Sequence, residues 1–595
     1  MWQTGKRQNR GFGKLSPLAG TIKDHKALCM LYIMISLMLS FLPMLSVNFR
    51  MKFVDGVLSM QSDSRLIIIL LIINLLLIYL SKYGLPVIAS LLDNLLSEKI
   101  QLSTEYNINK KKASIPFYHY EVSEAYDKIE LTKEAPEQIW LFFKGVINII
   151  TNLISIVSVF FMLFQVGSSA NFVLLLMFIP VFLFSIKAGT SYYNTWAKTA
   201  SMRRYCDYQR EVLLDKQYAQ EKILFAFTPF FEERWEGEYK KVRQLSIKEE
   251  LRGSVYMQIS GFLFCIYIAA LIFLLFTKLM NNEFTLGFVI SLISIVPSLF
   301  VSVATTISNE INNLVRAKKA IEALDLLYSL EDEEDYISLP EKDMDFSRIE
   351  FSNVSFKYPD TERWILKGFE MVIEKGKHYA IVGENGSGKS TIIKLLLRLY
   401  KVSEGAILID GRNINDFSKS ELLGLLTALF QDFEKYYTDI AENIGIGDIR
   451  RINDLETIVD SAKKAGFHER ICKEPLNYQT KLGKMHDNGT EFSGGEWQKL
   501  CIARLIMSPC PIKILDEPTA AMDPIFEHEL YQKFNEIMKD KTTISISHRL
   551  NSCKHSNCIY VIKNGKILES GTHKELMKKK SFYCKMYTTQ KNMYI

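Results

Sequence analysis

The feature that most constrains this chain is a set of long stretches almost free of charged side chains. Ala27 to Phe49 carries none, Leu66 to Leu92 carries only Lys82, and Gly145 to Ile186 carries none. Gly253 to Thr277 and Phe284 to Asn309 complete the set. A helix needs about 20 apolar residues to cross the hydrocarbon of a bilayer. The run from Gly145 to Ile186 is too long for one such helix. The polar Gln165-Val-Gly-Ser-Ser-Ala-Asn171 in its middle reads as a short hairpin. Six spans are therefore predicted, near 27–49, 66–92, 145–164, 172–186, 253–277 and 284–309. The alternative, helices buried in a large soluble core, fits poorly with so many runs in one half of a chain. Pro43, Pro86, Pro180 and Pro297 fall inside spans, where neighbouring helices tolerate a kink.

The first run is not a signal peptide. Its apolar stretch is too long, and no small-residue cleavage site precedes Asn48-Phe49-Arg50. Lys6, Arg7, Arg10, Lys14, Lys23 and Lys26 flank it, which favours an inside N-terminus. The polar segments 93–144 and 187–252 read as extensions of the membrane helices. Each holds an aromatic turn, Ile115 to Tyr120 and Phe225 to Phe231. These turns are read either as local packing or as knobs that dock on another domain. The acidic cluster Glu331 to Asp335, followed by Leu339-Pro340, reads as a linker.

A formal net charge of +6 over 595 residues is mild and only weak evidence for nucleic-acid binding, and the six fused spans argue against a nucleic-acid partner. None of the nine cysteines falls in a predicted outer loop, so free thiols are expected. Cys553 and Cys558 lack the second ligand pair of a metal site.

Beyond residue 345 the chain becomes ordinary mixed α/β sequence. Gly383-Glu384-Asn385-Gly386-Ser387-Gly388-Lys389-Ser390 matches G-x-x-x-x-G-K-[ST]. It follows a predicted buried strand, Tyr379 to Val382, and opens a predicted helix that begins at Thr391. That context is what a phosphate-binding loop requires. The glycines let consecutive N–H groups face phosphate oxygens, and the helix N-terminus favours negative charge. Lys389 is placed for the β- and γ-phosphates and the Ser390 hydroxyl for Mg²⁺. Downstream, Ile512-Lys-Ile-Leu-Asp-Glu517 is a mostly apolar strand that ends in two carboxylates. Asp516 would hold Mg²⁺ and Glu517 would polarise an attacking water.

With these motifs the chain resembles the ATP-binding-cassette (ABC) transporters. The decisive segment is Phe492-Ser493-Gly494-Gly495-Glu496, which is similar to that family's signature loop. The resemblance implies that Tyr358 stacks on adenine and that Gln431 senses the γ-phosphate and Mg²⁺. It also implies that Asp523 lies in the D-loop and that His548 is the switch histidine. Thr391 joins the nucleotide contacts. The implied fold is an α-helical membrane domain of six transmembrane helices with long cytosolic extensions, followed by an α/β P-loop ATPase domain. The expected layout is an N-terminal cytosolic segment (1–26), a membrane domain (27–330), a linker (331–345) and a nucleotide-binding domain (346–595).

The resemblance further implies two ATP molecules sandwiched between two such domains. One P-loop and one signature per chain then require a second half-transporter, most simply another copy. An ATP-using domain belongs in the cytosol, and an even number of spans puts the N-terminus there too, in the cytoplasmic membrane. Asn488 to Gln498 looks like the corresponding stretch of bacterial peptide exporters, including lantibiotic exporters. Only 26 residues precede the first span, too few for a peptidase domain. Peptide or amphipathic cargo is expected, with a multidrug or lipid exporter as the alternative. Phe492 and Glu496 depart from the usual Leu and Gln. Glu496 is expected to bring negative charge near the nucleotide. Lys513 interrupts the apolar strand, so that stretch is expected near the sheet's end.

Overall fold

The computed structural model describes residues 24–59, 64–122, 129, 132–164, 179–180, 183–184, 186–188, 199, 201–281, 283–333, 344–359, 361–486, 488–517, 537–538, 540–547 and 549–593. The chain divides into two compact units. The first comprises residues 1–112 and 127–330, and the second comprises residues 113–126 and 331–595.

The first unit is helical, as chains without charge must be in hydrocarbon, where every backbone group needs an internal partner. Its main helices are α1 (Lys26–Leu58), α2 (Ser64–Tyr79), α3 (Leu85–Ser114), α4 (Ala135–Phe164), α5 (Thr228–Met280) and α6 (Leu286–Ser329). The last two residues of α3 belong to the second unit. A π-helical turn, Leu80–Gly84, joins α2 to α3 at the charged Lys82. Helix α5 is 53 residues long. At 1.5 Å per residue that is about 80 Å, far more than a bilayer core. Its N-terminal half therefore stands outside the hydrocarbon, as its many Glu, Lys and Arg residues require.

Among the described residues four helical stretches are long and apolar enough to cross a membrane. They are Lys26–Leu58, Ser64–Ser114, Thr132–Ser158 and Thr228–Met280. The expected count of six is thus not reproduced. The span near 172–186 and its hairpin fall almost wholly outside the described residues. The sixth begins as the shorter apolar stretch Leu286–Pro297 within α6. Most of the expected linker, 334–343, also lies outside the described residues.

Burial on α2 is inverted relative to a helix of a soluble protein. On α2 the buried residue is Asn74, 5% exposed, while Leu75 is 57% exposed. An apolar seam joins α1, α5 and α6 through Val47, Phe264, Leu271, Leu275 and Leu292. Beside it, Asp55 of α1 accepts a hydrogen bond from the Gly287 N–H at 2.9 Å, which caps the exposed first turn of α6. A Cβ at Gly287 would collide with Asp55, so glycine sets the closeness of these helices.

The second unit holds two sheets. One is four-stranded and antiparallel, in the order β2 (Leu366–Glu374), β1 (Arg348–Phe356), β4 (Glu404–Ile409), β5 (Arg412–Asn413). The other is six-stranded, ordered β10 (Lys566–Gly571), β9 (Cys558–Lys563), β3 (His378–Gly383), β8 (Thr542–Ile546), β7 (Ile512–Asp516), β6 (Leu426–Leu429). Strands β6 to β9 and β3 pair in parallel, and only β10 runs antiparallel. Helix α7 (Lys389–Leu396) packs Ile392, Leu395 and Leu396 into the core shared by both sheets. A second core surrounds the fully buried Trp497 of α9 (Gly494–Met507) and includes Ile458 of α8 (Leu455–Lys464).

Strand β7 is next to the edge strand β6, near the sheet's end as expected, but it is paired on both sides and Lys513 is nonetheless buried. It is 1% exposed. Its amine donates to the Leu505 carbonyl at 2.9 Å and to the Ser508 carbonyl. Those groups terminate α9, so the lysine satisfies carbonyls that a helix end leaves unpaired. Burial pushes the amine down to about 7.

Candidate nucleotide site

Parallel strands deliver their C-terminal ends to one edge of a sheet, where ligands of α/β folds bind. Strands β3 and β7 end there, separated by β8. From β3 the chain turns at Gly383, passes Gly386 at φ +75° and enters α7 through Gly388 at φ +103°. A side chain at Gly388 would be strained by that backbone and would press on Leu366 at 3.0 Å. The first-turn N–H groups of α7 thus face an open cleft of about 500 Å³. Tyr358, Lys389, Ser390, Thr391, Gln431 and Glu517 line it, together with Asn385, Gly386 and Gly388.

Lys389 is folded onto its own loop. Its amine donates to the carbonyls of Gly383 (3.0 Å) and Glu384 (2.9 Å). Burial pushes its pKa down, opposed by the carboxylates of Glu517 and Asp516. Ser387 Oγ is buried without a partner in the same loop.

Asp516 ends β7 beside Ser390, whose side chain hydrogen-bonds to it. Its Oδ1 is buried with no partner. Burial, then the Glu517 carboxylate, pushes its pKa up to about 6 against the Ser390 hydrogen bond and Lys389. A buried carboxylate oxygen without a donor, next to a hydroxyl, fits a divalent cation. Asp432 adds negative charge from beside Gln431. Glu517 stands in the left-handed region at φ +51°, its N–H donating to the Ile546 carbonyl at 3.0 Å. Such a backbone is costly for a non-glycine residue and turns the side chain out of the strand into the cleft.

The Tyr358 hydroxyl meets Thr391 Oγ1 at 3.0 Å, and its ring packs edge-on against Tyr400. Behind them Lys394 lies 5.5 Å from the Tyr358 ring centre and 6.0 Å from that of Phe117. Its amine also pairs with Glu121 at 3.1 Å. The aromatic turn at 115–120 is thus an integral part of the second unit, adjoining the aromatic wall of the cleft. The turn at Phe225 to Phe231 keeps Phe225 and Phe230 exposed.

The signature residues do not line this cleft. Ser493 caps α9 and forms a capping box with Glu496: its N–H and hydroxyl each reach Glu496 Oε2 at 2.8 Å. Ser493 and Gly494 are exposed, so the first turn of α9 offers its N–H groups outward. Glu496 Oε1 accepts from Arg470 Nε at 2.5 Å. Burial pushes the Glu496 carboxyl up, but hydrogen bonds from Ser493 and Arg470 outweigh it and hold it below the usual range. The expected negative charge at Glu496 is thus paired with Arg470, a cation it shares with Glu474. Phe492 packs edge-on against Phe467 and Trp497, an apolar role leucine also fills. Arg470 and Lys394 belong to no motif, and only the tertiary contacts reveal them. Asp432 had a signal, since it follows Gln431. Asp523 and His548 lie outside the described residues.

Comparison with known proteins agrees with this geometry. A family profile described as "ABC transporter" matches residues 366–520. The chain is 30% identical over 588 residues to the subtilin transport ATP-binding protein SpaT of Bacillus subtilis, covering 96% of this chain and 92% of that protein. It is 41% identical to a putative multidrug export ATP-binding/permease protein of Staphylococcus aureus over 243 residues, 41% of each. In fold it is similar to a bacterial Atm1-family ABC exporter with ATP bound, at TM-score 0.81, 21% identity, 94% of this chain and 98% of that one.

Proposed function

Since the chain belongs to the ABC transporter family and is an ATP-driven exporter with membrane and ATPase parts in one polypeptide, we propose that its cargo is a peptide. One observation carries this reading. The similarity to the subtilin transporter runs through 96% of the chain, membrane half included, whereas the higher identity to the multidrug exporter is confined to 243 residues. The peptide-exporter character of Asn488 to Gln498 supports it.

In this reading Tyr358 stacks on adenine and the loop from Gly383 to Thr391 wraps the phosphates. Lys389 leaves its carbonyl partners for the β- and γ-phosphates. Ser390, Asp516 and Gln431 would hold Mg²⁺, which when bound would supply positive charge beside the phosphates. Glu517 orients and deprotonates the attacking water. His548 and Asp523 complete the γ-phosphate surroundings. Exporters built as half-transporters typically work as dimers, and a second copy of this chain is proposed to present Ser493, Gly494 and Gly495 to the nucleotide. Closure of that sandwich shifts the membrane helices between inward-open and outward-open states. The machine sits in the cytoplasmic membrane, with its N-terminus and ATPase unit in the cytosol.

The test is ATPase turnover of the purified protein in lipid discs, titrated with amphipathic peptides and separately with a panel of hydrophobic drugs. Peptide stimulation is the expected result. Stimulation by diverse drugs and by no peptide replaces the reading with multidrug export.

A further inference from the structure

The first unit contains a cleft of about 300 Å³ between α1, α3 and α4. It lies at a matching depth on all three helices. Tyr32 to Ser40 falls early in the first span, Pro86 and Ala89 late in the second, and Asn148 to Ser155 early in the third. Because successive spans alternate in direction, the cleft sits on the N-terminal side of the membrane.

Its walls mix polar side chains with Leu39, Pro86 and Ala89, and the hydroxyl hydrogen bonds have a common sense. Ser40 Oγ donates to the Leu37 carbonyl at 2.6 Å, Thr151 Oγ1 to that of Asn148 at 3.1 Å, and Ser155 Oγ to that of Thr151 at 3.0 Å. Asn152 gives an N–H to the Asn148 carbonyl at 2.7 Å. A carbonyl only accepts, so the three hydroxyl hydrogens are committed to the helices, while the Asn152 amide keeps a second N–H. Asn148 Nδ2 donates to Glu310 Oε1 at 2.7 Å, which fixes the orientation of that amide. What Ser40, Asn148, Thr151 and Ser155 leave toward the cleft is mostly oxygen lone pairs. The hydroxyls of Tyr32 and Ser36, also on this wall, hydrogen-bond to each other.

Charge points the same way. Glu310 is 7% exposed and held by two amides, Asn148 and Asn313 (3.2 Å). Among the described residues no lysine or arginine pairs with it. Asp93, nearby on α3, differs: Lys144 at 2.6 Å and Trp140 at 3.0 Å satisfy it. A buried carboxylate without a cation is costly in a low-dielectric setting. No carboxylate lines the cleft itself, which disfavours a bare metal ion.

We propose that this cleft receives a cationic group of the cargo peptide, an ammonium or guanidinium, with Glu310 as the counter-charge one hydrogen bond behind its wall. The inference deepens the peptide-export reading and rests on it. The volume suits such a head group with part of its alkyl stem.

The test uses the full chain in discs of uncharged phosphatidylcholine, which removes lipid attraction for lysine. Two labelled amphipathic peptides are compared, identical except that lysines in one are glutamines in the other. Fluorescence anisotropy reads binding, and a thermal melt of each variant in the same discs, beside its nucleotide binding, confirms that both units are folded. The lysine peptide is expected to bind about tenfold more tightly, as for a charge-assisted hydrogen bond. Glu310→Gln should reduce that preference to roughly threefold or less. Thr151→Val removes one lining acceptor and should reduce it severalfold, and it decides the matter if Glu310→Gln does not fold. Equal binding of the two peptides to the unaltered chain, or an unchanged preference in the folded variants, overturns the cationic site and leaves peptide export standing. Binding of neither peptide, with nucleotide binding intact, overturns both.

Discussion

The two units solve opposite problems with the same twenty side chains. In the ATPase unit apolar residues are inside and charges outside, so each buried ionic group needs a specific reason. Lys513 has one in the end of α9, and Asp516 has one in the cleft beside Ser390. In the membrane unit Asn74 is buried while Leu75 faces out. On that helix polarity is inward and the carbon surface faces out, while an apolar seam still joins α1, α5 and α6. The lesson is that exposure means different things in the two halves. An exposed leucine is a surface residue in one and a lipid contact in the other.

Glu517→Gln gives the largest effect that can break this contrast. Loss of a general base should lower ATP turnover by about 10²–10⁴-fold while nucleotide still binds. Steady-state ATPase and nucleotide-binding assays read the two separately, and normal turnover would remove Glu517 from the chemistry. Next in size is Leu500→Ala, in the core around Trp497. A cavity there should cost about 2–5 kcal/mol in denaturation of the protein. An effect below about 1 kcal/mol would mean that this core is loosely packed.

Lys513→Met follows, at about 1–3 kcal/mol, because two carbonyls lose their donor. It also carries a pH signature. The buried amine titrates near 7, against about 10.4 in the unfolded chain. Between those values the unfolded state binds more protons, so stability rises with pH across that window and is level below it. The melting temperature of the unaltered chain relative to Lys513→Met should therefore climb from pH 7 to 9. A flat difference would mean that the amine is not buried as described. The smallest effect is expected for Leu75→Ala, under about 0.5 kcal/mol in a lipid-embedded thermal melt. A loss as large as that of Leu500 would show that this face packs on protein.

The sequence made the ATPase site largely legible because its chemistry is local. The phosphate loop is one strand, one turn and one helix, and Asp516 and Glu517 close one strand. What stayed hidden depends on residues far apart in the chain. Arg470 pairs with Glu496 across 26 positions, and Lys513 reaches back into the end of α9. Reading the sequence around Lys513 put it near the sheet's end because a buried lysine looked untenable. Two carbonyls at a helix terminus made it tenable. The membrane helices were legible from missing charge alone, but absence of charge does not say which faces meet. Glu310 lies just beyond its apolar run, and only its contact with Asn148 gives it meaning.

The left-handed backbone at Glu517 has a corollary. Glycine there would relieve about 1 kcal/mol of conformational strain and abolish the carboxylate together. Under the role proposed for Glu517, a substitution that ends hydrolysis also relaxes the backbone.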